Sequence, residues 1–245
     1  MNMNNINDWK VPIPILYEDN HLIAVHKPHG LLIQGDKSGD ITLIDLVKTY
    51  LKEKYQKPGE AFLGLIHRID RPTGGIVIFA KTSKALTKMN KIFHDRQVKK
   101  IYLAIVENKP TIDNGLLVHY LRKNEKNNKS YVSDIHKNNY KKAELYLNYI
   151  TSSSKYHLLG IELLTGRHHQ IRAQLSHIAC PIRGDLKYGA RRSLPNGNID
   201  LLSYYLEFIH PITGNKISIT TKIPEYNPWQ FFKIPAKKWL DKVYF

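Results

Sequence analysis

Residues 67–81 read His67-Arg68-Ile69-Asp70-Arg71-Pro72-Thr73-Gly74-Gly75-Ile76-Val77-Ile78-Phe79-Ala80-Lys81. One carboxylate, Asp70, stands between two arginines and is followed at once by a turn and an apolar run. Arg68 and Arg71 favour its ionised form. The Pro72 to Gly75 stretch predicts a tight bend, and Ile76 to Ala80 predicts a buried strand. An ionised Asp in a rigid loop beside a core strand suits a nucleophile or a charge stabiliser. A structural Arg–Asp–Arg cluster at a strand end fits the same residues. The local pattern does not choose between them.

The rest of the chain bounds the problem. At 245 residues with a 42% hydrophobic share, it has the length and composition for a sizeable globular core. Lys and Arg total 37 against 21 Asp and Glu, a formal charge of +16, and the pI is near 9.7. That excess points to a polyanionic partner, nucleic acid before an anionic membrane surface. A single cysteine, Cys180, excludes a disulfide framework and a Cys-rich zinc site, and its apolar setting reads as a small buried hydrophobe. The N-terminal residues are polar and lack the apolar core of a signal peptide, and no apolar run nears the ~20 residues needed to span a bilayer. A soluble cytoplasmic protein is expected.

Along the chain, residues 1–14 read as an Asn-rich tail ending in Pro12 and Pro14, and 15–245 as one domain. Leu16 to Val25 predicts a hairpin turning at Glu18-Asp19-Asn20. Leu43 to Tyr55 sets Leu43, Leu46, Val47, Tyr50 and Leu51 on one helical face. Thr82-Ser83 caps a second helix running to about His94, with Lys84, Lys88 and Lys91 outward. Arg122 to Lys142 is a basic, Asn-rich excursion between strand-like Leu116 to Tyr120 and Ala143 to Ile150, either a solvated loop or an RNA-facing thumb. Gln170 to Ile178 reads as helix, and Leu201 to Phe208 and Lys216 to Ile223 as strands. Strands outnumber helices and do not alternate with them regularly. An α+β class with a mixed sheet and peripheral helices follows.

Residues 67–81 resemble the signature of the RluA-type pseudouridine synthases, H-R-L-D-x-x-T-S-G followed by an apolar strand and Ala-Lys. The chain keeps His67, Arg68, Asp70, Thr73, Gly75, Ala80 and Lys81, with Ile69 for Leu and Gly74 for Ser. Lys27-Pro28-His29-Gly30-Leu31 resembles the family's K-P-x-G-L loop, and Lys100 to Val106 its K-x-Y-x-A-x-V strand. Gly166-Arg167-His168-His169-Gln170-Ile171-Arg172 resembles G-R-T-H-Q-I-R. Pro181 to Asp185 with Tyr188-Gly189 resembles P-I-x-G-D-x-x-Y-G, and Leu206 to Pro211 the L-x-F-x-H-P ending. Departures are Leu202-Ser203 for His-Ala and Ala179 for Gly. The ordered blocks span about Ile15 to Pro224.

The resemblance implies a single catalytic domain with a long, bent, mainly antiparallel mixed sheet, peripheral helices and a central RNA-binding cleft. The K-P-x-G-L block starts too early to leave room for the extra N-terminal RNA-binding domain of many relatives, so recognition is expected from the catalytic domain itself. The implied activity is isomerisation of uridines in ribosomal or transfer RNA, on a flipped-out nucleotide and with no cofactor or metal. Asp70 is implied as the essential carboxylate, Tyr102 as the residue stacked on the uracil, and Arg172 as the arginine paired with Asp70. Arg68 resembles the arginine that replaces the flipped base in the stack, and Arg71, Lys100, Arg167 and His168 are further candidate RNA contacts. His67 and His169 read as structural hydrogen-bonding residues, and Asp185 as a turn or capping residue. RNA binding is expected to be salt-sensitive and the chain monomeric. Two other classes fit the basic composition: a non-catalytic RNA-binding or ribosome-assembly factor, and a hydrolase releasing free uracil.

Overall fold

The computed structural model describes residues 13–36, 39–56 and 58–244, so residues 1–12 of the expected tail lie outside the described residues. In chain order the elements are β1 (Ile15–Glu18), β2 (Leu22–Lys27), α1 (Leu43–Lys54), β3 (Gly64–Leu65), β4 (Gly74–Ala80) and α2 (Ser83–His94). Then follow β5 (Val98–Val106), β6 (Asn114–Asn124), β7 (Lys129–Ser133), β8 (Lys141–Ser152), β9 (His157–Leu163) and α3 (Gln170–His177). The chain ends with β10 (Leu201–Ile209), β11 (Lys216–Thr220) and α4 (Trp229–Tyr244). The class is α+β, as the sequence predicts. Two compact units form, Met1–Val98 with Tyr205–Thr221 and Lys99–Tyr204 with Lys222–Phe245.

In the first unit β4 lies at the centre, all seven of its residues buried. It pairs antiparallel with β2, from Leu22↔Ala80 to Lys27↔Gly75. Alternation sorts these strands into two apolar faces. Leu22, Ala24, Ile76, Ile78 and Ala80 pack with Ala85 and Met89 of α2 and with Leu206, Phe208 and Ile219. Ile23, Val25, Val77 and Phe79 pack with Leu43, Val47 and Leu51 of α1. One helix thus covers each face. Both start where their caps dictate. Thr42 Oγ1 accepts from the Asp45 amide at 3.3 Å while Asp45 Oδ2 accepts from the Thr42 amide at 3.0 Å, a reciprocal capping box. Thr82 Oγ1 accepts from the Ala85 amide at 3.2 Å.

The second unit is built on the antiparallel ladders β5–β9, β9–β8, β8–β6 and β6–β7. Part of the basic excursion is therefore regular: β6 runs to Asn124 and returns through β7, paired from Tyr120↔Ser133 to Asn124↔Lys129. α4 was not expected, because Pro235 falls within it and a proline breaks the helical hydrogen-bond ladder. Its buried residues Trp229, Phe232, Ala236 and Leu240 nevertheless repeat at helical spacing. Gly160 of β9 explains a close approach: a Cβ there would collide with the Trp239 indole of α4. Asp200, fully buried, accepts from Arg183 Nη1 at 2.6 Å and Trp229 Nε1 at 2.9 Å, so the helix is tied down by polar bonds as well.

Lys81, the last residue of the signature, belongs to a cluster in the first unit. Its Nζ donates to Glu18 Oε1 at 2.8 Å and to the Asp19 carbonyl at 2.7 Å, while Lys54 Nζ reaches Glu18 Oε2 at 2.6 Å. Burial alone would raise the Glu18 pKa, but hydrogen bonds from Lys54, Lys81, Tyr55 and Tyr50 outweigh it and hold the carboxyl down at about 2. A carboxyl depressed in the folded state contributes stability that is present above its unfolded pKa and lost as pH falls through the folded one. Glu18 therefore stabilises the protein at neutral pH, and that contribution fades between its ordinary value of 4.5 and about 2. Comparing urea midpoints of wild type and E18Q should show a large gap at pH 6 that narrows by pH 3; a pH-independent gap would contradict the assignment.

Candidate active-site residues

The signature loop is held by a residue that the sequence left unassigned. Lys27 ends β2 on the same face as Ile23 and Val25, with no exposed surface. Its ammonium donates to the carbonyls of Pro28 at 3.0 Å, Leu31 at 2.8 Å and Arg71 at 3.0 Å. Arg71 in turn donates Nε to the Gly30 carbonyl at 3.0 Å, and the Gly30 amide donates back to the Arg71 carbonyl at 2.9 Å. The K-P-x-G-L loop and the signature turn are thereby laced together. Burial pulls the Lys27 pKa down to about 7, opposed by the charge of Asp70 and reinforced by that of Arg71. Strand alternation was the available signal: it puts position 27 inside, where a lysine needs carbonyl or carboxylate partners.

Asp70 itself is half-buried in the irregular stretch after β3, and its carbonyl accepts from the Thr73 amide at 3.0 Å to close the turn. Gly75, the second residue of β4, sits at φ +112°, a backbone that favours glycine. Arg71, expected to flank Asp70, also places Nη2 2.8 Å from Asp40 Oδ2. Arg68 is exposed, with no hydrogen-bond or ion-pair partner recorded among the described residues. His67 Nε2 accepts from the Ile78 amide at 3.2 Å and its ring stacks on Phe93 at 4.9 Å, the structural role its motif suggests.

The second unit carries Lys100 and Tyr102 on β5, with Tyr102 paired to Ile161 of β9 and 7% exposed. It also carries the two glycine-containing blocks, which interlock. Arg172, in the first turn of α3, grips Asp185 with Nε to Oδ2 at 2.6 Å and Nη2 to Oδ1 at 2.9 Å. This is a buried bidentate pair. Asp185, expected to turn or cap the chain, stands before the 3₁₀ turn Leu186–Tyr188 but makes no side-chain cap bond; its carboxylate serves the arginine. The Arg172 guanidinium also lies 5.1 Å from the Tyr188 ring centre.

His169 precedes α3 at φ +51°, a left-handed backbone costly for a residue with a Cβ, and its Nδ1 is 3.0 Å from the Tyr188 hydroxyl. Burial, with the charge of Arg172 next, pushes the His169 pKa down to about 2. The ring is therefore neutral at physiological pH and unavailable as an acid. His168 stacks on it at 3.7 Å. Ser130 Oγ lies 2.6 Å from the His168 carbonyl and 2.9 Å from His168 Nδ1. A hydroxyl has one proton, so it donates to the carbonyl and accepts from the ring. Arg167 donates Nε to the Lys142 carbonyl at 3.0 Å, and Gln170 Oε1 accepts from the Arg167 amide at 2.9 Å and from Thr165 Oγ1 at 2.7 Å. The Cys180 thiol is buried and pushed up to about 11, consistent with a small core residue.

Two substitutions probe the laced loops. K27M removes the donor from three carbonyls and should cost about 1–3 kcal/mol or more, read as a lowered urea midpoint with reduced activity; an unchanged midpoint would show that the ammonium is dispensable. Gly74, where the family pattern has Ser, would place any Cβ against the His29 imidazole. G74S should therefore cost about 1–3 kcal/mol, and adding H29A should recover most of it; strictly additive losses would rule out this contact as the cause.

Comparison with known proteins agrees with these blocks. A family profile described as RNA pseudouridylate synthase matches residues 21–177. The chain is 30% identical over 214 residues to ribosomal large subunit pseudouridine synthase C of Rickettsia bellii, covering 86% of this chain and 69% of that protein. It is 29% identical over 226 residues to ribosomal large subunit pseudouridine synthase D of Zymomonas mobilis, covering 88% and 70%. Among solved structures, human RNA pseudouridylate synthase domain containing 4 superposes with a TM-score of 0.72 at 23% identity, covering 93% of each chain, which is a likeness of fold. With the profile spanning more than half of its length, the chain belongs to the RNA pseudouridylate synthase family and is a pseudouridine synthase.

Proposed function

We propose that the chain isomerises a uridine of ribosomal RNA to pseudouridine, with Asp70 as the essential carboxylate. Pseudouridine has the formula and oxidation level of uridine. The N1–C1′ bond breaks, the base turns, C5 bonds to C1′, and the proton displaced from C5 is balanced by one gained at N1. The chemistry thus calls for a carboxylate, a pocket and a held base, not for a redox group. Asp70 either attacks C1′, as in a retaining glycosidase, or takes the C2′ proton to give a glycal. Tyr102 stacks on the uracil and Arg172 pairs with Asp70 in this reading, while Arg68, Arg71, Lys100, Arg167 and His168 contact the RNA.

The observation that carries the reading is the fixed setting of Asp70. It sits one residue before a carbonyl that accepts from both a buried ammonium and the Gly30 amide, in a loop whose neighbours leave it little freedom. Restraint of this kind matters because the carboxylate must meet one sugar carbon in one orientation. The names of the relatives support ribosomal over transfer RNA. The chain's +16 charge suits the phosphate contacts that offset the few kcal/mol of extruding a base. A cytoplasmic monomer completes the proposal. No helix among the described residues is long and apolar enough to cross a membrane.

Pseudouridine mapping of ribosomal and transfer RNA from a deletion strain tests this directly. At least one ribosomal site should lose its pseudouridine, wild-type protein should restore it, and D70A should not. Restoration by D70A would leave an RNA-binding factor as the reading, and a loss confined to transfer RNA would change the substrate class.

A further inference from the structure

Outside the family's catalytic blocks, the second unit gathers His119 of β6, Asp134 just past β7 and His177, the last residue of α3. One ligand atom from each lies within 4.8 Å of the others. His177 Nε2 is 2.7 Å and His119 Nε2 3.7 Å from the same oxygen, Asp134 Oδ1. The two imidazoles meet edge to face at 5.0 Å. His119 is 7% exposed, whereas Asp134 and His177 reach solvent, so the cluster is buried at one side and open at the other.

We propose that His119, Asp134 and His177 bind a divalent cation of the zinc class, with a water in the fourth position. Two imidazoles and one carboxylate, each about 2.0–2.2 Å from the ion, are the donor set that Zn²⁺ takes. Magnesium and calcium prefer oxygen throughout, so two imidazoles select against them. The ion would replace the proton that His177 and Asp134 share.

A second feature points the same way. Gln174 of α3 is fully buried, with Nε2 2.8 Å from His119 Nδ1, while its Oε1 has no hydrogen-bond partner among the described residues. In that orientation His119 Nδ1 accepts, and the ring proton sits on Nε2, facing Asp134. Turning the amide over sets Oε1 against Nδ1–H and leaves the Nε2 lone pair to the ion, in exchange for the long 3.4 Å bonds that Gln174 Nε2 makes to the Leu117 and Ala143 carbonyls. A buried acceptor behind the second ring nitrogen is how metal-bound histidines are oriented. Loading the site thus pairs the orphaned oxygen with the His119 ring, a 2.8 Å contact kept in place of two long ones. The ion would staple the end of α3 to the β6–β7 hairpin. Arg172 lies on that same helix, so the staple would steady its base without entering the chemistry.

The test is titration calorimetry of the full chain, stripped with chelator, against Zn²⁺ and separately Mg²⁺, with Co²⁺ absorption as a second readout. One Zn²⁺ per chain should bind, Mg²⁺ should not, and Co²⁺ should give the visible bands of a four-coordinate site. H177A and D134N, both at exposed side chains, should weaken Zn²⁺ by about tenfold or more and abolish the Co²⁺ bands. No Zn²⁺ binding, or binding that both variants retain unchanged, would overturn the proposal and leave an ordinary His–Asp ion pair. Pseudouridine formation is read separately, so failure here leaves Asp70's role untouched.

Discussion

The structure around Asp70 depends on one buried ammonium. Lys27 sits on the apolar face of β2, where water cannot reach it and an unpaired charge would be prohibitive. It is tolerated because three carbonyls converge on it, two from its own loop and one from the turn that follows Asp70. Desolvation and partial compensation together explain a pKa near 7 in place of 10.5. The Arg71 carbonyl accepts from both Lys27 Nζ and the Gly30 amide, using both its lone pairs. Two segments forty residues apart in the chain are in this way a single structural object, and neither loop can shift without orphaning the other's polar groups.

A similar lock operates in the second unit with opposite chemistry. There the buried cation is a guanidinium, and its partner is a carboxylate that meets it fork to fork. His169 and Tyr188 add a second tie between the same two segments, at the expense of a left-handed histidine backbone. Such strain persists only where the surroundings over-determine it, and here Gln170, Tyr188 and the stacked His168 do so. Sequence blocks that look independent in a linear motif are, in space, two halves of one hydrogen-bonded fastening.

Much of the fold was legible because its signals are local. Thr82 starts its helix as the cap the sequence predicts, the apolar residues of α1 keep a helical period, and β4 is the buried strand its apolar run predicts. α4 was not legible, since Pro235 argues against a helix unless tertiary packing outweighs it, and Trp229 and Phe232 supply that packing. Lys27 escaped notice for the same kind of reason. Its value comes from carbonyls that only the folded loops bring together. Asp185 was read as a local turn residue because its partner lies thirteen positions upstream. The Gly74 departure makes sense only beside His29, a contact between two motifs that no single motif shows.

The histidines then narrow where the chemistry can reside. His67 accepts the Ile78 amide at Nε2, which a protonated ring cannot do, so it is held in a neutral tautomer by the backbone of β4. His169 is kept neutral by burial and by the charge of Arg172, far below any physiological pH. Neither ring can act as a proton donor without breaking a bond that holds a catalytic block in shape. In the proposed function the reaction begins at a sugar carbon and needs a group able to attack or to take a proton, the part assigned there to the Asp70 carboxylate. The two histidines are thus frame residues, His67 for the signature loop of the first unit and His169 for the glycine-containing blocks of the second.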